Sequence, residues 1–191
     1  MIHPDTELRY LDPVVGHGVF ATKRIPRGTI VWAKDPLDRV FSPAEVAALG
    51  EAFRPLVEHC TFADEEGRRV LCWDLGRYMN HSCRPTCAGT DFGFEVALRD
   101  IEAGEQLTND YGTLHIEASE GFACRCGEPG CRGAIAPDDG AGGRLAKDLA
   151  AALACTAAVP QPLSELVSPE VLAAAYHLVG LPLPSEQARV A

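Results

Sequence analysis

The sequence predicts a mainly β domain with helices appended at its C-terminal end. Short segments rich in β-branched and aromatic residues recur along the first two thirds of the chain, separated by turns that contain Gly or Pro. This pattern is typical of β-rich domains. Beyond Gly133 the composition changes to Ala and Leu with a helical period. A chain of 191 residues is long enough for one such domain with its own core.

Composition argues against several classes of protein. The net charge of −10 makes direct nucleic-acid binding unexpected, because that binding gains affinity from clustered Lys and Arg. A basic partner fits the charge better, although solubility alone also explains it. No apolar run of about 18 residues predicts a membrane span. Residues 1–5 lack the basic and apolar regions of a signal peptide, so we expect an intracellular protein, cytoplasmic or, in a eukaryote, nuclear.

The first predicted strands follow a pair of glycines. In the segment 16–21, Gly16 and Gly18 precede alternating apolar positions, a turn follows at 26–28, and a second strand is predicted over 29–32. Glycine carries no Cβ, so it allows close approach of a ligand to the backbone. Taken alone, however, Gly-x-Gly is more typical of a tight turn.

A helical insert is predicted over about 42–60. Ser42, Pro43 and Glu45 have the spacing of a capping box with Pro at the first helical position, and Pro55 favours a break between two short helices. After it, short strands are predicted over 69–73, 94–98 and 106–108.

The last part of the chain is predicted to be helical. Residues 138–143 have the composition of a linker, 145–155 have a helical period, and Ser168 begins a final helix. The apolar faces of these helices must be buried against the domain itself or against another copy of the chain. A homodimer through the C-terminal helices is therefore one of two open arrangements.

Eight cysteines in a reducing compartment are better explained by metal ligation or buried thiols than by disulfides. A C-x-C-x4-C cluster and one remote cysteine supply the four thiols of a closed tetrahedral zinc site: Cys83, Cys124, Cys126 and Cys131. Separate buried thiols are the alternative, and Cys87 is a competing ligand. Closing the zinc site is expected to bring Asn80 and the Tyr111 of an Asp-Tyr-Gly turn to the same place.

Four motifs occur in a fixed order along residues 16–133. They are Gly-His-Gly-Val-Phe-Ala at 16–21, Arg-Tyr-Met-Asn-His-Ser-Cys at 77–83, the stretch from Arg-Asp-Ile at 99–101 to Asp-Tyr-Gly at 110–112, and the Cys-Arg-Cys and Cys-Arg-Gly pieces at 124–126 and 131–133. In this order the sequence resembles the SET-domain family of protein lysine methyltransferases, including the post-SET zinc cluster.

The resemblance implies a fold and a division into domains. The family fold is a β-clip-like set of small curved sheets around a knot-like core, in which the Asn-His-Ser-Cys segment passes beneath the Asp-Tyr-Gly loop; composition does not suggest this topology. The domains implied are a SET domain over 1–115, a post-SET zinc-binding segment over 116–137 and a helical tail over 138–191.

The resemblance also implies roles for individual residues. S-adenosylmethionine is expected against the backbone of His17, Gly18 and Val19, with further contacts from Asn80, His81 and the backbone of Arg125. Tyr111 is the expected catalytic tyrosine and borders the cofactor. The zinc ligands implied are Cys83, Cys124, Cys126 and Cys131. The substrate channel is expected to involve Trp73, Tyr78 and Asn109, with Phe122 as a further wall; packing in the core is the alternative for each aromatic residue.

The chemistry fits these residue types. A lysine ammonium with a pKa of about 10.4 is not a nucleophile, so the site must favour the neutral amine by desolvation and by the nearby positive sulfonium. Tyr111 then orients the amine, and catalysis is mainly alignment of amine, methyl and sulfur.

Three departures from the family pattern leave alternatives open. No cysteine-rich region precedes Gly16, Asn109 occupies a position where many relatives have an aromatic residue that limits the number of methyl groups, and the chain before Arg77 is short, so Trp73 is a substitute for the usual tyrosine. The function predicted is S-adenosylmethionine-dependent methylation of lysine in a histone or another basic protein. The alternatives are a catalytically inactive binding module and a zinc-dependent dimerisation protein.

Overall fold

The computed structural model describes residues 1–64, 66–114, 121–136 and 140–182. Within these ranges the strands are β1 (Thr6–Asp12), β2 (Gly16–Ala21), β3 (Ile30–Ala33), β4 (Arg39–Phe41), β5 (Phe62–Ala63), β6 (Arg69–Leu71), β7 (Asn80–His81), β8 (Cys87–Gly89), β9 (Phe94–Ala97), β10 (Gln106–Asn109), β11 (Phe122–Ala123) and β12 (Ala134–Ile135). The α-helices are α1 (Pro43–Ala48), α2 (Arg54–Cys60), α3 (Ala141–Leu153) and α4 (Pro169–Leu178).

The strands form small separate sheets, which confirms the mainly β prediction. Their orders are β1-β2-β10-β7, β3-β9-β8, β4-β6-β5 and β11-β12. Among the described strand pairs, β7 and β10 run parallel, with Asn80 opposite Thr108 and His81 opposite Asn109. This pairing places the Asn-His-Ser-Cys segment directly beside the strand that leads into Asp-Tyr-Gly.

The C-terminal helices cover one face of the β3-β9-β8 sheet. Phe94 and Val96 of β9 pack in one apolar cluster with Leu153 of α3 and Ala175 of α4, and these side chains are almost fully buried. Burial of a large aliphatic or aromatic side chain contributes about 1.5–3 kcal/mol. The apolar faces of the helices are therefore buried within the same chain, the first of the two arrangements that the sequence left open.

Hydrogen bonds reinforce this contact at Gln161. The backbone N–H of Ile30 donates to Gln161 Oε1 at 2.8 Å, and Gln161 Nε2 donates to the carbonyl oxygens of Gly28 and Thr156, each at 2.9 Å. Gly28 has φ +85°, and a Cβ there would lie 2.7 Å from Cβ of Cys155. Glycine is thus required where the loop after β2 meets the end of α3.

The helical insert has the predicted capping box. Ser42 Oγ accepts from the N–H of Glu45, whose carboxylate accepts from the N–H of Ser42. Pro55 lies in the first turn of α2, so the break precedes it. α3 begins at Ala141, so residues 141–143, which were predicted to belong to a linker, form its first turn.

The expected domain boundaries at 115 and 137 lie outside the described residues. None of the described helices has the length and apolar character needed to cross a bilayer.

Candidate active site and metal cluster

Tyr111 follows β10 and is fixed at both ends by the Asn-His-Ser-Cys region. Its backbone N–H donates to Nδ1 of His81 at 3.1 Å, and its hydroxyl donates to the carbonyl oxygen of Met79 at 2.6 Å. Burial, assisted by the negative charge of Glu95, raises the pKa of Tyr111 to about 12. The hydroxyl therefore stays protonated at neutral pH, and Tyr111 acts by hydrogen bonding rather than as a base.

Gly18 lies where β2 meets Asn80. A Cβ at this position would lie 2.6 Å from Nε2 of Gln106 and 3.0 Å from Nδ2 of Asn80, so only glycine fits without displacing both side chains. Asn80 Nδ2 donates to the carbonyl oxygen of His17 at 2.8 Å. The side chain of Val19 is fully buried, so this residue offers only its backbone to a ligand.

One continuous cleft of about 2090 Å³ contains most of the residues that the sequence analysis selected. Sites for a single small ligand are usually about 300–1,000 Å³, so this cleft has room for a cofactor beside a segment of another protein. The predicted residues that line it are His17, Tyr78, Asn80, His81, Asn109, Tyr111, Phe122, Cys124, Arg125 and Cys126, whereas Gly18 and Val19 are not part of its lining. Phe122 closes one side, because its ring lies edge-on to the rings of His81 and Tyr111 with centroids 5.8 and 6.0 Å away.

A cluster of potential metal ligands adjoins the cleft. The ligand atoms of four side chains lie within 4.8 Å of one another: His81, Cys83, Cys124 and Cys126. The sulfur atoms of Cys83 and Cys124 are 3.7 Å apart. Sulfurs bonded to zinc at about 2.3 Å in a tetrahedron lie about 3.8 Å apart, so this spacing fits a zinc ion.

The comparison with known families decides what kind of domain this is. A family model described as SET domain matches residues 16–112, which is just over half of the 191 residues. The chain belongs to the SET-domain family. The SET-domain match spans the glycine strand β2, the parallel β7–β10 pair and Tyr111.

Sequence relatives carry histone-lysine names but match this SET-domain chain only in part. Histone-lysine N-methyltransferase ash1 of Drosophila melanogaster is 42% identical over 66 residues, which cover 31% of this chain and 3% of that protein. Histone-lysine N-methyltransferase set5 of Schizosaccharomyces pombe is 29% identical over 163 residues, which cover 64% of this chain and 50% of that protein. The matches thus span half or less of the length of these relatives.

Two residues are candidates for the fourth ligand of a metal ion at this cluster, His81 and Cys131. The Cys131 thiol interacts with the thiols of Cys124 and Cys126 but is not within the group of four that includes His81. The N–H of Tyr111 is only a donor, so His81 Nδ1 must accept, and a neutral imidazole then carries its proton on Nε2. Nε2 lies 3.4 Å from the sulfur of Cys83, a geometry in which it donates to a thiolate. This favours Cys131 as the ligand and His81 as its neighbour.

The thiols of the cluster differ in their environment: burial raises the pKa of Cys83 and raises that of Cys124 to about 12, whereas Cys126 has a lowered pKa. Burial acts to raise the pKa of Cys126, but hydrogen bonds from the backbone N–H groups of Cys83 and Glu128 lower it to about 7. The thiolate is the form that binds metal. Cys87 lies fully buried in β8 and is not within the group of four potential ligands, so it is a core thiol rather than a competing ligand.

An ion pair that sequence reasoning missed joins the cysteine segment to the Asp-Tyr-Gly turn. Arg132 donates to the two carboxylate oxygens of Asp110 at 2.6 Å each, and Asp110 also accepts from the N–H of Gly112 at 3.0 Å. Burial acts to raise the pKa of Asp110, but the hydrogen bonds from Arg132 outweigh it and hold the pKa below its ordinary value. The only sequence signal was that both residues belong to matched motifs.

Trp73 does not line the cleft. Its indole N–H donates to Asp35 at 3.0 Å, its side chain is half exposed, and it borders a separate shallow hollow beside the N-terminal residues. Trp32 lines the cleft instead, in edge contact with Phe62. The sequence placed Trp32 in a strand but gave no sign of which side of the strand the indole occupies.

Proposed function

We propose that the chain is an S-adenosylmethionine-dependent protein-lysine N-methyltransferase with a structural zinc ion. The observation that carries the proposal is the convergence of His17, Asn80 and the doubly anchored Tyr111 at one cleft of a SET domain. The domains proposed are the SET domain over 1–115, the zinc-binding segment over 116–137 and the helical tail over 138–191.

The proposed cofactor seat lies along β2 beside Asn80. The strand approaches Asn80 closely because Gly18 has no side chain. The backbone of His17, Gly18 and Val19 is proposed to form one wall of the site, with Asn80 and His81 on another. When bound, S-adenosylmethionine supplies an electrophilic methyl group on a positive sulfonium. Arg125 lies between Cys124 and Cys126 and lines the same cleft. The segment 121–136 is therefore proposed to close the cofactor site.

Tyr111 is proposed to position the reacting amine. Its oxygen is held in place by the bond to Met79, and a rigid acceptor of this kind aligns an amine without paying for reorganisation during the reaction. Tyr78 and Phe122 are proposed to form the walls that exclude water from the lysine side chain. Exclusion of water favours the neutral, nucleophilic amine.

The proposed zinc ligands are Cys83, Cys124, Cys126 and Cys131. Zinc would supply no chemistry to the transfer; it would hold the segment that carries Phe122 and Arg125 against the cleft. The proposed substrate is a histone or another basic protein, because the relatives are named histone-lysine methyltransferases and the net charge of −10 favours a basic partner.

The test is transfer of a labelled methyl group from S-adenosylmethionine to a pool of histones, with the Tyr111→Phe variant run in parallel. We expect label on lysine with the wild-type chain and a loss of about 100-fold or more with the variant, because the oriented hydroxyl is absent. Tyr10→Phe is the matched control, since it removes an exposed hydroxyl and should retain activity. Absence of label, with cofactor binding measured in the same sample, would favour the inactive binding module.

A further inference from the structure

Glu95 is a carboxylate in an otherwise apolar strand. Its neighbours in β9, Phe94 and Val96, are fully buried against the C-terminal helices. Because side chains alternate along a strand, Glu95 points to the opposite side, where it lines the cleft together with Tyr111. Gly89 lies opposite it on β8, so no neighbouring side chain covers Glu95 from that strand.

Half of this carboxylate has no partner. Asn109 Nδ2 donates to Oε1 at 2.7 Å, but Oε2 is buried and has no hydrogen bond within the part of the chain that the structure describes. An unpartnered buried carboxylate oxygen is costly. On β3 the residue opposite Glu95 is Trp32, whose buried indole N–H also has no partner among the described residues and so does not satisfy Oε2. A ligand that donates to Oε2 would do so.

Asn109 is committed to holding Glu95. Its Oδ1 accepts from the N–H of Asp110 at 2.7 Å while its Nδ2 binds Glu95, so both ends of the amide are fixed. Asn109 was predicted to lie in the substrate channel, at a position that limits the number of methyl groups. It lines the cleft and its amide orients the neighbouring carboxylate, so the group left free for a substrate is Oε2 of Glu95.

We propose that Glu95 binds the ammonium group of the substrate lysine through Oε2 and accepts one of its protons, which generates the neutral amine. The lone pair of that amine then forms the bond to the methyl carbon as the carbon–sulfur bond breaks, leaving S-adenosylhomocysteine and a protonated methyl-lysine. The proton on Glu95 returns to solvent after product release. This inference rests on the proposed function, and it gives the reaction a general base that Tyr111 cannot supply.

The acidity of Glu95 fits this role. Burial raises its pKa to about 7, and the hydrogen bond from Asn109 acts to lower it. The titratable groups that interact with it are Tyr111, Cys72 and Cys87, whose pKa values are each raised to about 12. They stay neutral near pH 7, so Glu95 is the group of this set that changes charge there.

The first experiment detects the contact without relying on catalysis. The carboxyl carbons of glutamate are labelled with ¹³C, the Glu95 signal is assigned by its loss in Glu95→Gln, and the protein is titrated with n-butylammonium as a mimic of the lysine side chain and with n-butanol as the uncharged control. We expect the Glu95 signal to shift with butylammonium and not with butanol. Equal responses to both, or none to either, would overturn the proposal.

The second experiment measures its consequence for the reaction. Glu95→Gln keeps the shape and the acceptor for Asn109 but removes the base, so kcat should fall at least tenfold while S-adenosylmethionine affinity stays within twofold. The decline of the wild-type rate below about pH 7 should disappear in this variant and move to higher pH in Asn109→Ala, which loses the hydrogen bond that lowers the pKa. Glu102→Gln, at an exposed glutamate, is the control.

The two experiments separate the failures. A butylammonium response at Glu95 without any methyl transfer by the wild-type chain would reject the proposed function and keep the ammonium site. Methyl transfer by Glu95→Gln at the wild-type rate and with the wild-type pH profile would reject the role of Glu95 and keep the proposed function.

Discussion

Two segments follow the SET-domain match, and different forces attach them to it. The segment 121–136 has few buried side chains, chiefly Cys124 and Ile135, and is held by the cysteine cluster and by the Arg132–Asp110 pair. The segment 140–182 is held by an apolar cluster that includes Leu153 and Ala175. The first attachment depends on the cysteine cluster, with its proposed metal ion, and on charge, whereas the second depends on buried apolar area. We therefore expect each to be lost under conditions that leave the other intact.

Removal of the metal should give the largest effect. A chelator, or Cys124→Ser, is expected to release the segment 121–136 and to abolish S-adenosylmethionine binding, because structural zinc in small domains contributes on the order of 10 kcal/mol. Metal content and cofactor affinity by calorimetry measure this, with Cys60→Ser as the control. Undiminished cofactor affinity in a metal-free sample would contradict the proposal that the segment 121–136 closes the cofactor site.

Loss of the ion pair should come next. Arg132→Met leaves Asp110 buried without its partner and should lower the free energy of unfolding by about 3–5 kcal/mol, measured in urea. Arg24→Met, which breaks the surface pair with Asp100, should cost less than about 1 kcal/mol.

The same pair predicts a dependence on pH. The pKa of Asp110 is lower in the folded protein, so its contribution is present above the unfolded value of about 3.9 and is lost as the pH falls through the folded value. The difference between wild type and Arg132→Met should therefore shrink in acid. An equal difference at pH 7 and at pH 2 would exclude this account.

Truncation in the helical segment should give a smaller effect of another kind. Leu163→Ala removes a buried side chain of the same apolar cluster that does not line the cleft and should cost about 2–4 kcal/mol, while metal content and cofactor affinity stay at wild-type values. Thermal unfolding and metal analysis on one sample measure both. A loss of zinc in this variant would show that the two attachments are not independent.

Contacts between residues that are close in the sequence could be predicted from it, whereas contacts between residues far apart in the sequence could not. The capping box at Ser42 involves residues three apart, so local chemistry sufficed. The convergence of Gly18, Asn80 and Tyr111 came from the resemblance, because no periodicity specifies a parallel pair between residues 80–81 and 108–109. The Asp110–Arg132 pair was missed because Asp and Arg are residue types that usually lie on the surface.

The same limit explains Glu95 and Trp73. Alternation along β9 indicated that Glu95 and Phe94 face opposite sides, but it did not indicate that the side of Glu95 is enclosed by a cleft. Trp73 was expected in the substrate channel, but its indole binds Asp35, a contact across 38 positions of the chain. The side of a strand or turn that becomes a cavity depends on which other elements pack around it.

The bond between Tyr111 and Met79 also decides what the cleft can accept. The hydroxyl proton is already given to the carbonyl oxygen of Met79, so the tyrosine oxygen presents only lone pairs to an incoming group. In the proposed reaction this oxygen would attract the hydrogens of an amine or of a polarised methyl group, and it would have no proton to offer a ligand that needs a donor at this point. The direction of one hydroxyl thus makes this part of the cleft an acceptor.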